Sequence, residues 1–278
     1  MTHKLKTVLT IGGSDPGCGA GIQADILAIS SMGLHPLSVI TALTAQNSHG
    51  VSAVSAVTEQ MFHSQLNAVL EDVEPDAIKT GMIGSMEIGC ATADFIERRN
   101  PKVPLVVDPV MMASAGGMLL EKDFGEVERM LTLYIERIFP VADVITPNLP
   151  EALQVARIAV NEPERLTSHE LALVVLEVSK AGNVVLKGGH SEGEMITDLL
   201  VTMNDGLPEF TEFSHKRVET SNLHGTGCLF SSLLASFLAL GLPVKEAFLK
   251  TAERVSEIIV ASSIYQLGSS NYGPMKII

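Results

Sequence analysis

The sequence predicts one α/β domain over residues 1–278, built on a mostly parallel sheet with flanking helices. Three observations predict it. Short β-branched runs alternate with longer amphipathic ones along most of the chain. The short runs end in Gly, Pro, Asp or Asn and then enter a helical stretch, the βαβ signature of a parallel sheet covered on both faces. No internal repeat, low-complexity tract or linker interrupts the series.

Taken in order, VLTIGG at 8–13 reads as a buried strand, and a helix follows from about Gly19 to Met32. LSVITALTA (37–45) is a strand and 59–72 a helix; DAIKTG (76–81) is a strand and 85–99 a helix. PLVVDPV (104–110) is a strand, then come a helix near 123–138 and the strand DVITPN (143–148). Helices over 150–157 and 167–181 precede the strand NVVLKGG (183–189). The pattern then changes. MITDLLVT (195–202) and PEFTEFS (208–214) flank MNDGLP as an antiparallel excursion, and helices over 226–240 and 243–264 close the chain.

Bulk composition narrows the function. Hydrophobic residues make up 46% of the chain, which argues for a packed core over disorder. The net charge is −13, aromatics are few, Trp is absent and no Lys/Arg cluster occurs, so a nucleic-acid binder is excluded and any anion site must be local. Three cysteines, Cys18, Cys90 and Cys228, are too few and too scattered for a disulfide framework and match no zinc spacing, which predicts a reducing, cytoplasmic setting. The apolar run before Gly12 is too short for a signal peptide. The uncharged stretch between His224 and Lys245 has roughly a spanning length, but Gly225, Gly227, Gly241 and Pro243 interrupt it. It reads as a buried helix, with no membrane partner.

Ligands of such sheets bind beyond the carboxyl ends of the strands. Those ends hold Gly12, Gly13, Asp15, Gln46 and Asn47, and further on Gly81, Asp108, Asn148 and Lys187. The run GGSDPGCGAGIQAD fails the dinucleotide fingerprint at Ile22 and the Walker loop at Cys18, which argues against a nicotinamide oxidoreductase. Its glycines serve a strand-to-helix turn or the close approach of a ligand. Asn148 and Glu151, three apart at a helix start, suit either hydrated Mg²⁺ or a capping box. Asp108 either carries charge beside a metal or ends its strand through an Asx-turn. Lys187, beside two glycines, is a point charge for a phosphate or a turn lysine. HGTGC opens an apolar helix, so its N–H groups can face an anion, or Thr226 simply caps the helix. The helix start favours a Cys228 thiolate and a neighbouring phosphate opposes it, which leaves the net direction open.

Seven runs, LTIGGSDPGCGAGIQAD, SVITALTAQNSHGV, IKTGMIG, VVDPVM, ITPNLPEA, VLKGGH and HGTGC, resemble in this order the hydroxymethylpyrimidine/phosphomethylpyrimidine kinases of thiamin biosynthesis, members of the ribokinase superfamily. The resemblance spans about residues 7 to 236. It implies a three-layer α/β/α ribokinase-like fold, with ATP-dependent phosphorylation of hydroxymethylpyrimidine and then of its monophosphate. By resemblance, Gly13, Asp25, Gln46, Met82 and Val110 fall at pyrimidine-pocket positions, with Asp25 and Gln46 at the polar edge of the ring. Asn148 and Glu151 fall on an N-x-x-E motif associated with Mg²⁺, with Asp108 beside them. Lys187 resembles a residue facing the ATP phosphates, and Gly225, Thr226 and Gly227 fall in the anion hole. Cys228 stands where many ribokinase-like enzymes have a catalytic aspartate, which implies that it accepts or guides the hydroxyl proton.

The relatives are often homodimers. Related pyridoxal kinases usually depart from TALTAQN, so Gln46 favours a pyrimidine over pyridoxal, while a dual activity and a non-catalytic pyrimidine binder are the alternatives. Three positions depart from the family pattern. Cys18 stands at a common glycine, and LGSSNYGP matches a glycine-rich ending loosely. Ser114 replaces a usual lysine, which removes a charge near the phosphates and bears on the second, monophosphate step.

Overall fold

The structure is a computed structural model that describes residues 4–110, 124–190, 193–266 and 273–277. Ser114 and most of LGSSNYGP lie outside the described residues. Chain order gives β1 (Thr7–Ser14), α1 (Gly21–Ser31), β2 (His35–Asn47), β3 (Gly50–Ala56), α2 (Glu59–Leu70), β4 (Ala77–Thr80), α3 (Met86–Arg98) and β5 (Leu105–Val107). There follow α4 (Phe124–Leu133), β6 (Val144–Ile145), α5 (Leu149–Ala156), α6 (Ser168–Ser179) and β7 (Asn183–Leu186). The last elements are β8 (Met195–Asn204), β9 (Leu207–Lys216), α7 (Thr226–Ala239) and α8 (Val244–Ser262).

Among the described residues these strands form one sheet in the order β3-β2-β1-β4-β5-β6-β7-β8-β9. Pairing is parallel from β2 through β1 and β4 to β7, and antiparallel at β2–β3, β7–β8 and β8–β9. Buried side chains alternate between the two faces, as the strand period requires. Leu9, Ile78, Val107, Ile145 and Val184 face one core with Phe62 of α2, Ile88 of α3 and Val155 of α5. Val8, Ala77, Val106, Val144 and Val185 face the other with Ile29 of α1, Leu233 of α7 and Phe248 of α8. This is the expected three-layer α/β/α arrangement.

Two elements differ from the sequence reading. The first is β3, which pairs with a longer β2 as a hairpin. Its sequence GVSAVSA is small and largely exposed at this sheet edge, so no buried face imprints an alternating pattern on it. The second is the helix expected to 138: α4 ends at Leu133 and continues as a π-helical turn over Tyr134–Ile138. Strands β4 to β7 are also shorter than the runs that predict them, most of all β6, where only Val144–Ile145 pair.

The chain turns from one half of the sheet to the other between β1 and β4. Strand β2 lies on one side of β1, and β4 to β9 lie on the other. That reversal is a topological switch point, where parallel sheets open a crevice beyond their strand ends. A bulge at Gly12/Gly13 bends the end of β1 there.

Candidate active site

A cavity of about 320 Å³ occupies this crevice. Its walls include Gly13, Gln46, Met82, Asp108 and Val110 from the strand ends, together with Asn148, Glu151 and Lys187. The run from Leu223 to Cys228 closes it. The structure therefore brings every site residue predicted from the sequence to one cavity, Asp25 included.

At one end the charges are linked. Lys187 Nζ donates to Asp108 Oδ1 at 2.7 Å, and its side chain is 13% exposed, so it is not a surface turn lysine. Asp108 also accepts from Thr146 and Ser231 hydroxyls at 3.2 and 3.3 Å. Its carboxylate forms no Asx-turn; the Val110 N–H bonds the main-chain oxygen instead. A parallel bridge sets Asn148 beside Lys187. Asn148 caps α5 in a full capping box: its side chain accepts from the Glu151 N–H at 3.0 Å, and Glu151 Oε2 accepts from the Asn148 N–H at 2.8 Å.

The cap reading is therefore correct, and it buries Glu151. Burial pushes the Glu151 carboxyl up to about 7, with Lys187 opposing and Asp108 assisting the rise. Burial alone would lower Lys187, but Asp108 and Glu151 hold it above the ordinary lysine value. Among the described residues no group of three or more His, Cys, Asp or Glu is arranged to hold a metal ion. Two buried carboxylates and an amide do fit a Mg²⁺ that keeps most of its waters and arrives with a nucleotide.

Unlike α5, helices α1 and α7 enter this cavity without side-chain caps. Helix α7 has Gly225 as its N-cap, with φ +82°, and α1 has Ala20. Thr226 is thus not the cap. It is the first helical residue, and its hydroxyl turns back to donate to Leu223 O at 2.6 Å. Gly225 must be glycine twice over, because its φ is left-handed and an added Cβ would overlap Gly19 O. At Gly227 an added Cβ would stand 3.2 Å from Lys187 Nζ, so the helix start lies directly against the lysine. Amides of the first turn point out of a helix end and suit an anion.

Cys228 sits within this turn, and the Gly21 N–H bonds its sulfur. Burial pushes the thiol up to about 11, with Lys79 opposing and Asp25 and Asp108 assisting. The helix start does not prevail, so a thiolate is not the form this site favours at neutral pH. The reason is tertiary: desolvation and two nearby carboxylates outweigh the dipole and the lysine.

At the other end, Met82 packs with Val110 and Ala42, and its sulfur would lie 2.8 Å from a Cβ on Gly13. Asp25 borders the cavity but is fully buried, and both of its oxygens are engaged by protein. Lys79 Nζ donates to them at 2.9 and 2.8 Å, and the Ser232 and Thr10 hydroxyls donate as well. Burial would lower the Lys79 pKa, yet Asp25, with Cys228 and Asp108, raises it, so the ammonium persists. Gln46 ends within 3.1 Å of His224 Nε2, and Asp15 Oδ2 lies 3.0 Å from the same atom. Asp15 also accepts N–H groups from Gly17, Gly19 and Ala20.

Sequence reasoning assigned no role to Lys79 or His224. The signal for Lys79 was a charged residue inside AIKT, where every other position is apolar or Thr and the whole strand is buried. A lone charge in such a strand needs a buried partner. His224 carried no such signal, because its partners lie 178 and 209 positions away.

Comparison with known proteins agrees with this geometry. The sequence model of the phosphomethylpyrimidine kinase family matches residues 15–276. A hydroxymethylpyrimidine/phosphomethylpyrimidine kinase of Haemophilus influenzae is 39% identical, covering 97% of this chain and 96% of its own. The crystal structure of a Clostridium difficile phosphomethylpyrimidine kinase superposes with a TM-score of 0.74 at 36% identity, over 91% of this chain and 99% of that one. A Staphylococcus aureus pyridoxal kinase in complex with pyridoxal superposes at 0.81 with 29% identity, over 99% and 94% of the two chains. With its cavity at the switch point and its family's sequence over nearly its whole length, the chain belongs to the phosphomethylpyrimidine kinase family and is a ribokinase-like kinase.

Proposed function

We propose that this chain transfers the γ-phosphoryl group of ATP to the hydroxymethyl oxygen of hydroxymethylpyrimidine, and then to the resulting monophosphate, as one kinase domain over residues 1–278. One observation carries the reading. A single cavity joins an apolar and amide-lined end (Met82, Val110, Gln46) to a cation and an uncapped helix start (Lys187, Gly225–Cys228). The first end suits a flat heterocycle with polar edges, and the second suits transferring phosphate.

Phosphoryl transfer through a loose transition state needs alignment and charge stabilisation more than a strong base. Lys187 meets phosphate charge at the helix start, and the amides of Gly227 and Cys228 hold the transferring oxygens. Asp108 keeps Lys187 in place through its 2.7 Å bond. Mg²⁺, bound with the nucleotide, would offset phosphate charge, with Asp108, Glu151 and Asn148 holding it or its waters. Cys228, with its thiol protonated, orients the accepting hydroxyl, whose proton passes to an oxygen of the transferring phosphoryl group. Asp25 acts from beneath, holding Lys79 and the start of the pocket instead of presenting a vacant carboxylate to the ring.

The setting proposed is cytoplasmic, supported by three cysteines that are all free. Among the described residues no helix is long and apolar enough to cross a membrane. A homodimer is proposed on exposed apolar side chains such as Leu43, Met61 and Ile264, and sedimentation velocity tests it.

A second reading, phosphorylation of pyridoxal, is favoured by the closer superposition on pyridoxal kinase, 0.81 against 0.74. The higher identity to the pyrimidine kinases favours the first. A coupled ADP-release assay with hydroxymethylpyrimidine, its monophosphate and pyridoxal decides between them. Preference for the pyrimidine is expected, and a higher kcat/KM for pyridoxal would overturn the first reading.

A further inference from the structure

We propose that Lys79 is a positioning residue: from beneath the cavity its ammonium turns the Cys228 S–H outward, toward the hydroxymethyl oxygen that accepts phosphate. The inference rests on the proposed phosphoryl transfer to a hydroxymethyl group and deepens it. It holds for a pyrimidine or a pyridoxal acceptor alike.

Lys79 lies on β4, buried, and borders the cavity. Its side chain runs along the strand toward the carboxyl end, because a Cβ added to Gly81, on the same face, would stand 2.8 Å from Nζ. Helices α1 and α7 meet above it in two rungs. Gly21 and Asp25, four apart, share one face of α1, and Cys228 and Ser232 share one face of α7. In the upper rung the Gly21 N–H bonds the Cys228 sulfur. In the lower rung the Ser232 hydroxyl donates to Asp25 Oδ1 at 2.7 Å. Asp25 in turn holds Lys79 Nζ at 2.9 and 2.8 Å, so this ion pair sits one helical turn, about 5.4 Å, below the thiol contact. The neighbouring positions Gly227 and Ser231 face the other buried pair, Lys187 with Asp108. One lysine thus serves the phosphate, and the second stands under the acceptor.

Burial pushes the Cys228 thiol up, and of the charges around it Lys79 opposes the rise more strongly than Asp25 or Asp108 assists it. The pair therefore turns its positive end to the sulfur. That sulfur meets the Gly21 N–H on one side and a cation from below, and both repel a thiol proton. The direction left to the S–H is the cavity. There it donates to one lone pair of the substrate hydroxyl. The other lone pair forms the bond to the γ-phosphorus as the bond from phosphorus to the bridging oxygen of ADP breaks. The hydroxyl proton passes to an oxygen of the transferred group, and Cys228 keeps its own.

Steady-state kinetics with MgATP and hydroxymethylpyrimidine test this on Lys79→Met and on the double variant Asp25→Asn with Lys79→Met. Each is also measured in the Cys228→Ala background. Losing one oriented hydrogen bond corresponds to about 3- to 10-fold. The kcat should fall by about that factor in Cys228→Ala, in Lys79→Met and in the double variant, with both KM values within about 3-fold of wild type. Once Cys228 is Ala, the Lys79 substitutions should lower kcat by less than about 2-fold further. The double variant separates this role from stability, because removing both charges should restore folding without restoring turnover.

The proposal is overturned if a stably folded double variant keeps the wild-type kcat, if the KM values change as much as kcat, or if the effect of Lys79 persists in full once Cys228 is Ala. Should Lys79→Met not fold, the double variant carries the same comparison. A wild-type enzyme inactive on the pyrimidine but active on pyridoxal would refute the substrate reading alone, and the same variants assayed on pyridoxal would still decide the role of Lys79.

Discussion

Replacing Lys79 by Met removes the charge but keeps the length of a side chain that is 1% exposed in the middle of β4. What is lost is a pair of bonds to Asp25 at 2.9 and 2.8 Å, and Asp25 is itself 0% exposed. Breaking a buried pair by removing one partner costs about 3–5 kcal/mol, because the remaining charge is neither solvated nor paired. The Thr10 and Ser232 hydroxyls stay on Asp25, which sets the expectation at the lower end, about 3 kcal/mol. That is a large part of the roughly 5–15 kcal/mol that stabilises a domain.

Urea unfolding followed by circular dichroism gives the number. The lysine is held above its ordinary value when folded, so its contribution is complete below about pH 10 and lost only above it. The deficit attributable to Lys79 should therefore not depend on its titration between pH 6 and 9. The double variant Asp25→Asn with Lys79→Met removes both charges and should recover to within about 2 kcal/mol of wild type. A single variant within 1 kcal/mol of wild type (roughly the worth of one ordinary hydrogen bond) would refute the reasoning, as would a double variant no better than the single.

Three further outcomes are expected. The Glu151 carboxyl, near 7 when folded against an ordinary 4.5, binds its proton more tightly in the folded state, so its burial destabilises as pH rises through that interval. Glu151→Gln keeps an acceptor for the cap and should gain on wild type between pH 5 and pH 8 by at most about 3 kcal/mol, read from unfolding midpoints at the two pH values. Cys228, at about 11, should react with iodoacetamide at pH 7 more slowly than the exposed Cys18 and Cys90, and Cys228→Ser should keep kcat within about tenfold. Mass-spectrometric labelling order and steady-state turnover check the two statements. Gly225→Ala places a methyl at φ +82° against Gly19 O and should cost more than about 2 kcal/mol, visible as a lowered Tm and a weakened KM for ATP.

The alternation of apolar runs and turn residues determined most of this protein by itself. It carried the parallel sheet, the antiparallel excursion of β8 and β9 and the two closing helices, because burial on both faces leaves an uninterrupted β-branched run in a strand. Gly13, Gln46, Asp108, Asn148 and Lys187 were legible as site residues because each ends a strand, and chain order alone puts those ends on one edge. Local rules also held where partners are local: Asn148 and Glu151 stand three positions apart, and their box forms as written.

Tertiary structure decided what depends on distant partners. Strand β3 is defined by its pairing with β2 and not by a buried face of its own. The Asp25–Lys79 pair spans 54 positions, and the contacts of His224 with Gln46 and Asp15 span 178 and 209. The same holds for the Cys228 thiol. A helix start is local and pulls its pKa down, but desolvation depends on everything packed around it, and at this site the surroundings prevail.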